Sequence, residues 1–168
     1  MPTKTRNITT DDVARIIHIS NNETDRQKVY KAVEAVAAEA CGWVLLTTLR
    51  HDEAKGVVVR LHSSDEKSYP IGGTKPIDKI QTGQRAMTSG DVFLAADRDA
   101  VKAAFFDHEL IFSLGISAIL NSPIRHGGRH LGTLNFCGVA GTYGPEEVKA
   151  AKILAGLLAP VLLTEMKS

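Results

Sequence analysis

Near the end of the chain two apolar, β-branched runs flank one Gly-Gly step, and no other feature limits the fold as tightly. Ser117–Arg125 and Arg129–Gly138 bracket His126-Gly127-Gly128. A two-residue glycine turn between such runs is the strongest short-range signal for an antiparallel hairpin. With Gly127 and Gly128 as the turn, His126 pairs with Arg129, Arg125 with His130, and later pairs follow in step. One face then carries Ser122, Thr133, Asn135 and Cys137 around Leu120, Ile124 and Leu131. The other carries Ile119, Leu134 and Phe136, with Asn121 and Pro123. The second face suits packing against helices; the first, dotted with hydrogen-bonding groups, suits the floor of a ligand pocket. A one-residue bulge would exchange the faces.

The rest of the chain supplies elements to cover such a hairpin. Val13, Ile16 and Ile17 form the stripe of a first helix that Thr10 can cap, with Asp11 and Asp12 at the positive end of its dipole. Asn21-Asn22 breaks it and can cap a second helix, in which Val29, Ala32, Val33, Val36, Ala37 and Ala40 recur at helical spacing before Cys41-Gly42. Strands are expected over Trp43–Leu49, Val57–Ser63 and Val92–Ala96, with His51–Gly56 as a polar connection. Ser64–Gly90 is rich in Gly, Pro, Ser, Thr and charge. It reads as a long loop with one helical turn near Ile77–Gln81, and a loop of that length inside a domain marks a functional segment. Asp97 can cap a helix over 98–114, whose face carries Val101, Ala104, Phe105, His108, Ile111 and Phe112 before Gly115 stops it. Gly144-Pro145-Glu146-Glu147 opens the last helix, and Pro160 is expected to loosen its final turns. This order predicts an α/β chain of the α+β type. A mostly antiparallel sheet has terminal helices on one face, and loop 64–90 with helix 98–114 covers the other.

Composition narrows the function classes. At 168 residues the chain has room for one well-filled core. Its 20 basic and 19 acidic residues leave a formal charge of +1, so no large field favours nucleic acid or an anionic membrane. No apolar run approaches the roughly 20 residues that span a bilayer. Met1–Thr10 lacks the apolar core of a secretory signal. Two cysteines, Cys41 and Cys137, make no disulfide framework. A cytoplasmic protein with neither nucleic-acid nor membrane partners is expected.

Candidate chemistry is spread over several segments. Arg60 alternates with Val59 and Leu61 on a strand; on a ligand-facing sheet it would clamp a carboxylate or phosphate, and on the outer face it would be solvated. Tyr69-Pro-Ile-Gly-Gly-Thr-Lys-Pro76 could wrap backbone amides and Lys75 around an anionic or polar group, although its glycine spacing is not that of a P-loop. Tyr69 can pack its ring inside and offer its hydroxyl to a ligand. His108 lies on the apolar face of its helix beside Asp107. It reads either as a hydrogen-bonded core residue or as a group that contacts a ligand and moves a proton near neutral pH. His126 and His130 are four apart across a glycine turn that sends them to opposite faces, so no metal site is expected. Both cysteines read as buried thiols, with Cys137 a further candidate for the pocket wall.

Three segments together resemble a known family. Phe106-Asp-His-Glu-Leu-Ile-Phe-Ser-Leu-Gly115, Ser117-Ala-Ile-Leu-Asn-Ser-Pro-Ile124 and Gly128-Arg-His-Leu-Gly-Thr-Leu-Asn-Phe136 are similar to the closing half of a GAF domain. Ala40-Cys-Gly-Trp-Val-Leu-Leu46 sits where that family passes from helix to first strand. The resemblance covers roughly residues 22–165. It divides the chain into an N-terminal helical extension, 1–21, and a GAF-like domain, 22–168. It implies a module that holds a cyclic nucleotide, bilin, haem or small metabolite, and usually signals through an attached output domain, of which these residues show none. It also places His108 at the border of the pocket. Free methionine sulfoxide reductases share the scaffold, but their redox cysteines come from the crossover region, and this chain has none between Cys41 and Cys137.

The leading expectation is therefore a small-molecule-binding GAF protein without cofactor, acting as a sensor or regulator. Its ligand would be held by Arg60, Tyr69, Lys75, Asp107, His108, Thr133 and Asn135. A homodimer through the long first and last helices is expected, since both carry more alanine and leucine than one buried stripe requires. The rival is a cofactor-independent metabolic enzyme with His108 or Asp107 as general acid or base, assisted by Tyr69 or Cys137. A structural module with a filled core and no pocket is the third reading.

Overall fold

The computed structural model describes residues 1–79 and 89–166. The chain opens with α1 (Thr10–Asn22) and α2 (Arg26–Ala40), followed by β1 (Leu45–Asp52), β2 (Val57–Ser63) and β3 (Thr74–Pro76). A short 3-10 turn, Ile77–Lys79, leads away from β3. Then come β4 (Phe93–Ala95), α3 (Arg98–Ala104), α4 (His108–Ser113), β5 (Ala118–His126), β6 (Arg129–Gly138) and α5 (Pro145–Glu165). The strands form one antiparallel sheet in the order β3-β2-β1-β6-β5-β4.

Local chemistry explains most of the helix ends, with two departures from the sequence reading. Thr9 caps α1 rather than Thr10: its hydroxyl accepts from the Asp12 amide while the Asp12 carboxylate accepts from Thr9 N, a reciprocal capping box. Asp25, not the Asn21-Asn22 pair, caps α2, and α1 runs through Asn22. Asp97 caps α3 through Ala100 N as expected. At α5 the Glu147 carboxylate accepts from Gly144 N and Pro145 occupies the first turn, and helical geometry continues past Pro160 to Glu165.

All three long helices lie on one face of the sheet. Ile16 from α1, Tyr30 and Val33 from α2, and Leu154, Leu158 and Leu162 from α5 pack on Leu46, Leu120, Ile124, Leu134 and Phe136 of the strands. The alanines and leucines that looked surplus in sequence are spent on helix–helix contact within the chain, because α2 touches both α1 and α5. Ile17 and Ile153 remain exposed on these helices. The N-terminal segment is stitched to the body: Thr3 bridges Gly42, Lys4 pairs with Glu147 at 2.6 Å, and Arg6 reaches both Asp12 and Glu39. No helix among the described residues is long and apolar enough to cross a membrane.

Two bulges set which side chains face where. In the β5–β6 hairpin, Gly127 and Gly128 take φ of 56° and 77°, as a two-residue turn of this hand requires. His126 pairs with Arg129 and Arg125 with His130, but the register then slips, so Ile124 pairs with Gly132 and Asn121 with Asn135. Leu131 is the extra residue. The slip exchanges the faces of β5 relative to the simple ladder: Asn121 joins Thr133 and Asn135, while Leu120, Ser122 and Ile124 turn into the helix-side core. A second slip skips Leu61 between β1 and β2, so Leu49 pairs with Arg60 and Thr48 with His62.

Candidate functional site

The face opposite the helices forms the floor of a cavity of about 190 Å³. Alternation on each strand delivers the lining: Leu45, Thr47, Leu49 and His51 from β1, Val58 and Arg60 from β2, Ile119 and Asn121 from β5, and Thr133, Asn135 and Cys137 from β6. Phe105, Asp107, Ile111 and Ile116 form the roof, and Tyr69 and Lys75 close one side. Asn135 Nδ2 donates to Thr47 Oγ1 at 3.3 Å. Asn121 and Thr133 are buried and turn their polar side chains to the same cavity.

The roof departs from the single helix expected over 98–114. Helical geometry stops at Phe105, which is extended with φ −125° and ψ 123°, and resumes at His108. Two contacts account for the break. The Phe105 ring turns inward to meet Phe93 edge-on at 5.9 Å, and the carbonyl it frees is capped by His108 Nδ1, which donates at 3.0 Å.

This use of His108 decides its place. Its ring packs on Phe112, with centroids 5.7 Å apart, and it is not among the residues that line the cavity. The other six expected ligand contacts, Arg60, Tyr69, Lys75, Asp107, Thr133 and Asn135, come together there, as does Cys137. Sequence reading missed Thr47, whose strand was assigned without a face, and His51, which was placed in a connection rather than in β1. Asn121 went to the wrong face because the bulge was left open.

Arg60 is the most unusual group in the cavity wall. Its Nη1 donates to the Pro70 carbonyl at 3.1 Å, its guanidinium lies 5.3 Å from the centre of the Tyr69 ring, and its Nε is buried without a partner. The loop wraps around it: Arg60 N donates to Gly73 O and Gly72 N donates to Arg60 O. Burial pulls the guanidinium below its ordinary value and pushes the Tyr69 phenol up. Lys75 instead meets Asp107 at 3.6 Å, tying β3 to the junction between α3 and α4.

Two further groups bear on chemistry. His51 and His130 meet across the sheet with Nε2 atoms 3.4 Å apart, and burial lowers both, His130 to about 4. Cys137 belongs to the cavity-side cluster, and burial pushes its thiol up to about 12. Cys41, similarly raised, lies in the helix-side core, so the sheet separates the two thiols. Among the described residues no group of three or more His, Cys, Asp or Glu is placed to hold a metal ion.

The sequence matches the GAF domain family over residues 24–162. The chain belongs to that family. In fold this GAF domain is similar to one from a phosphoenolpyruvate-protein phosphotransferase of Coxiella burnetii, at 19% identity and TM-score 0.73 with 94% of each chain covered. It is also similar to the GAF domain of the Acinetobacter phosphoenolpyruvate-protein phosphotransferase, at 11% identity and TM-score 0.75 over 97% of each chain. A further similar structure is free methionine-R-sulfoxide reductase from Neisseria meningitidis in complex with its substrate, at 17% identity and TM-score 0.69 over 99% of each chain. No curated protein matches the sequence. At such identities the likeness is one of fold, and the site must carry the function. The family match begins at residue 24, so α1 lies outside it while contributing the fully buried Ile16 to this GAF domain's core.

Proposed function

We propose that this GAF domain binds a small molecule in the cavity between the sheet, the α3–α4 segment and the Tyr69–Pro76 loop, and acts as a sensor or regulator. The observation that carries the reading is the cavity itself, where an apolar wall surrounds the buried polar residues Thr47, Asn121, Thr133 and Asn135 and where Arg60 Nε is buried without a protein partner. Buried polar groups without partners are costly, and a ligand that hydrogen-bonds them while covering the apolar wall removes that cost. A volume of about 190 Å³ is below the roughly 300–1,000 Å³ of pockets for drug-sized ligands, which favours a small metabolite.

The same elements would carry occupancy of the cavity to an output. The Lys75–Asp107 pair links the loop side of the cavity to its roof. On the outside of that roof Phe106 is 75% and Leu110 60% exposed. A ligand that engages Asp107 or Ile111 would shift the balance of α4 positions and so alter the surface bearing these two residues. Association of two copies through the helix layer, where Ile17 and Ile153 stay exposed, belongs to the same proposal, and sedimentation reads it directly.

Thermal-shift screening against a metabolite collection tests the binding reading. A ligand at a hundred times its Kd stabilises the fold by about 2.7 kcal/mol, a readily measured rise in Tm. Asn121→Leu, which fills the floor with an apolar side chain, should abolish that rise while leaving the free protein folded. Recovery of the compound unchanged separates a binding module from an enzyme. If no compound shifts Tm, the reading fails.

A further inference from the structure

We propose that the ligand of this cavity is a small organic carboxylate whose charged group pairs with Arg60 and whose body lies on Leu45, Ile116 and Ile119. The inference rests on the binding reading above and adds the chemical class.

The charges at the cavity wall are unevenly matched. Among the described residues Arg60 has no acidic partner, whereas Lys75 is matched by Asp107. Arg60 therefore stands as a partly buried cation compensated only by a carbonyl and an aromatic face. Such a cation is costly to hold unless an anion completes it, and the planar guanidinium presents paired N–H groups that match a carboxylate.

The protein also spends sequence on fixing this group. A Cβ built on Gly73 would lie 2.6 Å from Arg60 Nη1 and 3.1 Å from the Pro70 carbonyl. The absent side chain at Gly73 is thus what lets the loop close on the guanidinium. The Tyr69 ring flanks the same group and lines the same cavity. The glycines expected to present amides to a ligand serve instead to seat the arginine.

Carboxylate is favoured over phosphate by charge balance. A phosphate monoester carries about −1.5 to −2 near neutral pH, more than one free guanidinium neutralises, and Asp107 in the same wall would repel the excess. The Asn121 amide and Thr133 hydroxyl would then receive a neutral polar group such as a hydroxyl, keto or amide oxygen.

Isothermal titration of the intact protein with hydroxy-, keto- and amino-carboxylates, the primary amides of the same acids and the matching phosphate monoesters decides the class. Wild type should bind a carboxylate and bind its amide roughly 10–100-fold more weakly. Arg60→Gln should weaken carboxylate binding far more than amide binding and so lose that preference. Gly73→Ala, whose new methyl would press on Arg60 Nη1 and on the Pro70 carbonyl, should weaken carboxylate binding more than amide binding. Equal affinity for acid and amide, preference for the phosphate, or an Arg60→Gln variant that keeps its carboxylate affinity would overturn the inference and leave the binding reading standing. Failure of every class to bind would remove both.

Discussion

His62 Nε2 lies 2.5 Å from Glu34 Oε2, on the helix side of the sheet, with His62 only 2% exposed. The other ring nitrogen, Nδ1, is 3.1 Å from Gln27 Oε1. The Gln27 amide nitrogen donates to the Leu61 carbonyl at 2.9 Å, which turns its oxygen toward the ring, so Nδ1 carries a hydrogen. Nε2 faces the Glu34 carboxylate across a short contact, so both ring nitrogens are engaged. The ring also stacks on Tyr30 with centroids 5.7 Å apart. His62→Phe keeps the ring but leaves the Gln27 oxygen without a donor, and should cost about 2–3 kcal/mol in urea unfolding. An unchanged midpoint would show that the stack alone matters.

Gly132 follows the bulge in β6 and pairs with both Ile124 and Arg50. A side chain there would run into the Leu49 carbonyl oxygen and lie 2.8 Å from Leu162 Cδ2. A backbone oxygen in a central strand cannot retreat, so Gly132→Ala should destabilise by about 3 kcal/mol. Gly156, on α5, has open space around it, and Gly156→Ala should stabilise by about 0.5–1 kcal/mol. Thermal melts of the two variants should move in opposite directions; a shared direction contradicts the packing described.

Stability should fall on mild acidification. Burial first, then the charges of His51 and Arg125, pull His130 to about 4, against roughly 6.5 for an unfolded histidine. Between those values the unfolded chain binds a proton that the folded chain does not, so stability declines as pH drops from about 6.5 toward 4. With the ring only half-buried, the loss should be about 1–2 kcal/mol. Arg6 holds the Asp12 carboxylate well below its usual range, so its contribution is lost only as pH falls further, below about 4. Urea midpoints across this range should slope less for His130→Gln; identical slopes would exclude the histidine as the cause.

Neither thiol should be reactive in the native state. With Cys137 and Cys41 both pushed up to about 12 by burial, the thiolate fraction at pH 8 is minute. Labelling by a disulfide reagent should run at least about a hundred-fold slower than for a free thiol. Both should react promptly in denaturant. Rapid native labelling of one thiol would point to an open cavity wall at Cys137.

Sequence by itself determined the elements and most of the cast. Gly127-Gly128 between two β-branched runs, the helical spacing of Val29 to Ala40, and Asp97 or Gly144-Pro145 at helix starts are local signals, and local backbone preferences decided them. Six of the seven residues expected to meet a ligand line the cavity, and Thr133 and Asn135 share its floor because alternation along a strand is also local.

Facing and pairing were decided only by the tertiary structure. The extra residue at Leu131 turns Asn121 toward the cavity and Ser122 into the core, a choice set by how β5 and β6 pack against α5 and by the closeness of Gly132 to β1. The break at Phe105 exists because its ring finds Phe93 on a strand and its carbonyl finds His108, which takes His108 out of the cavity lining. Arg60 gains its meaning from a loop ten residues further on that folds back over it. Each of these depends on contacts between distant segments, whose energies no window along the chain contains.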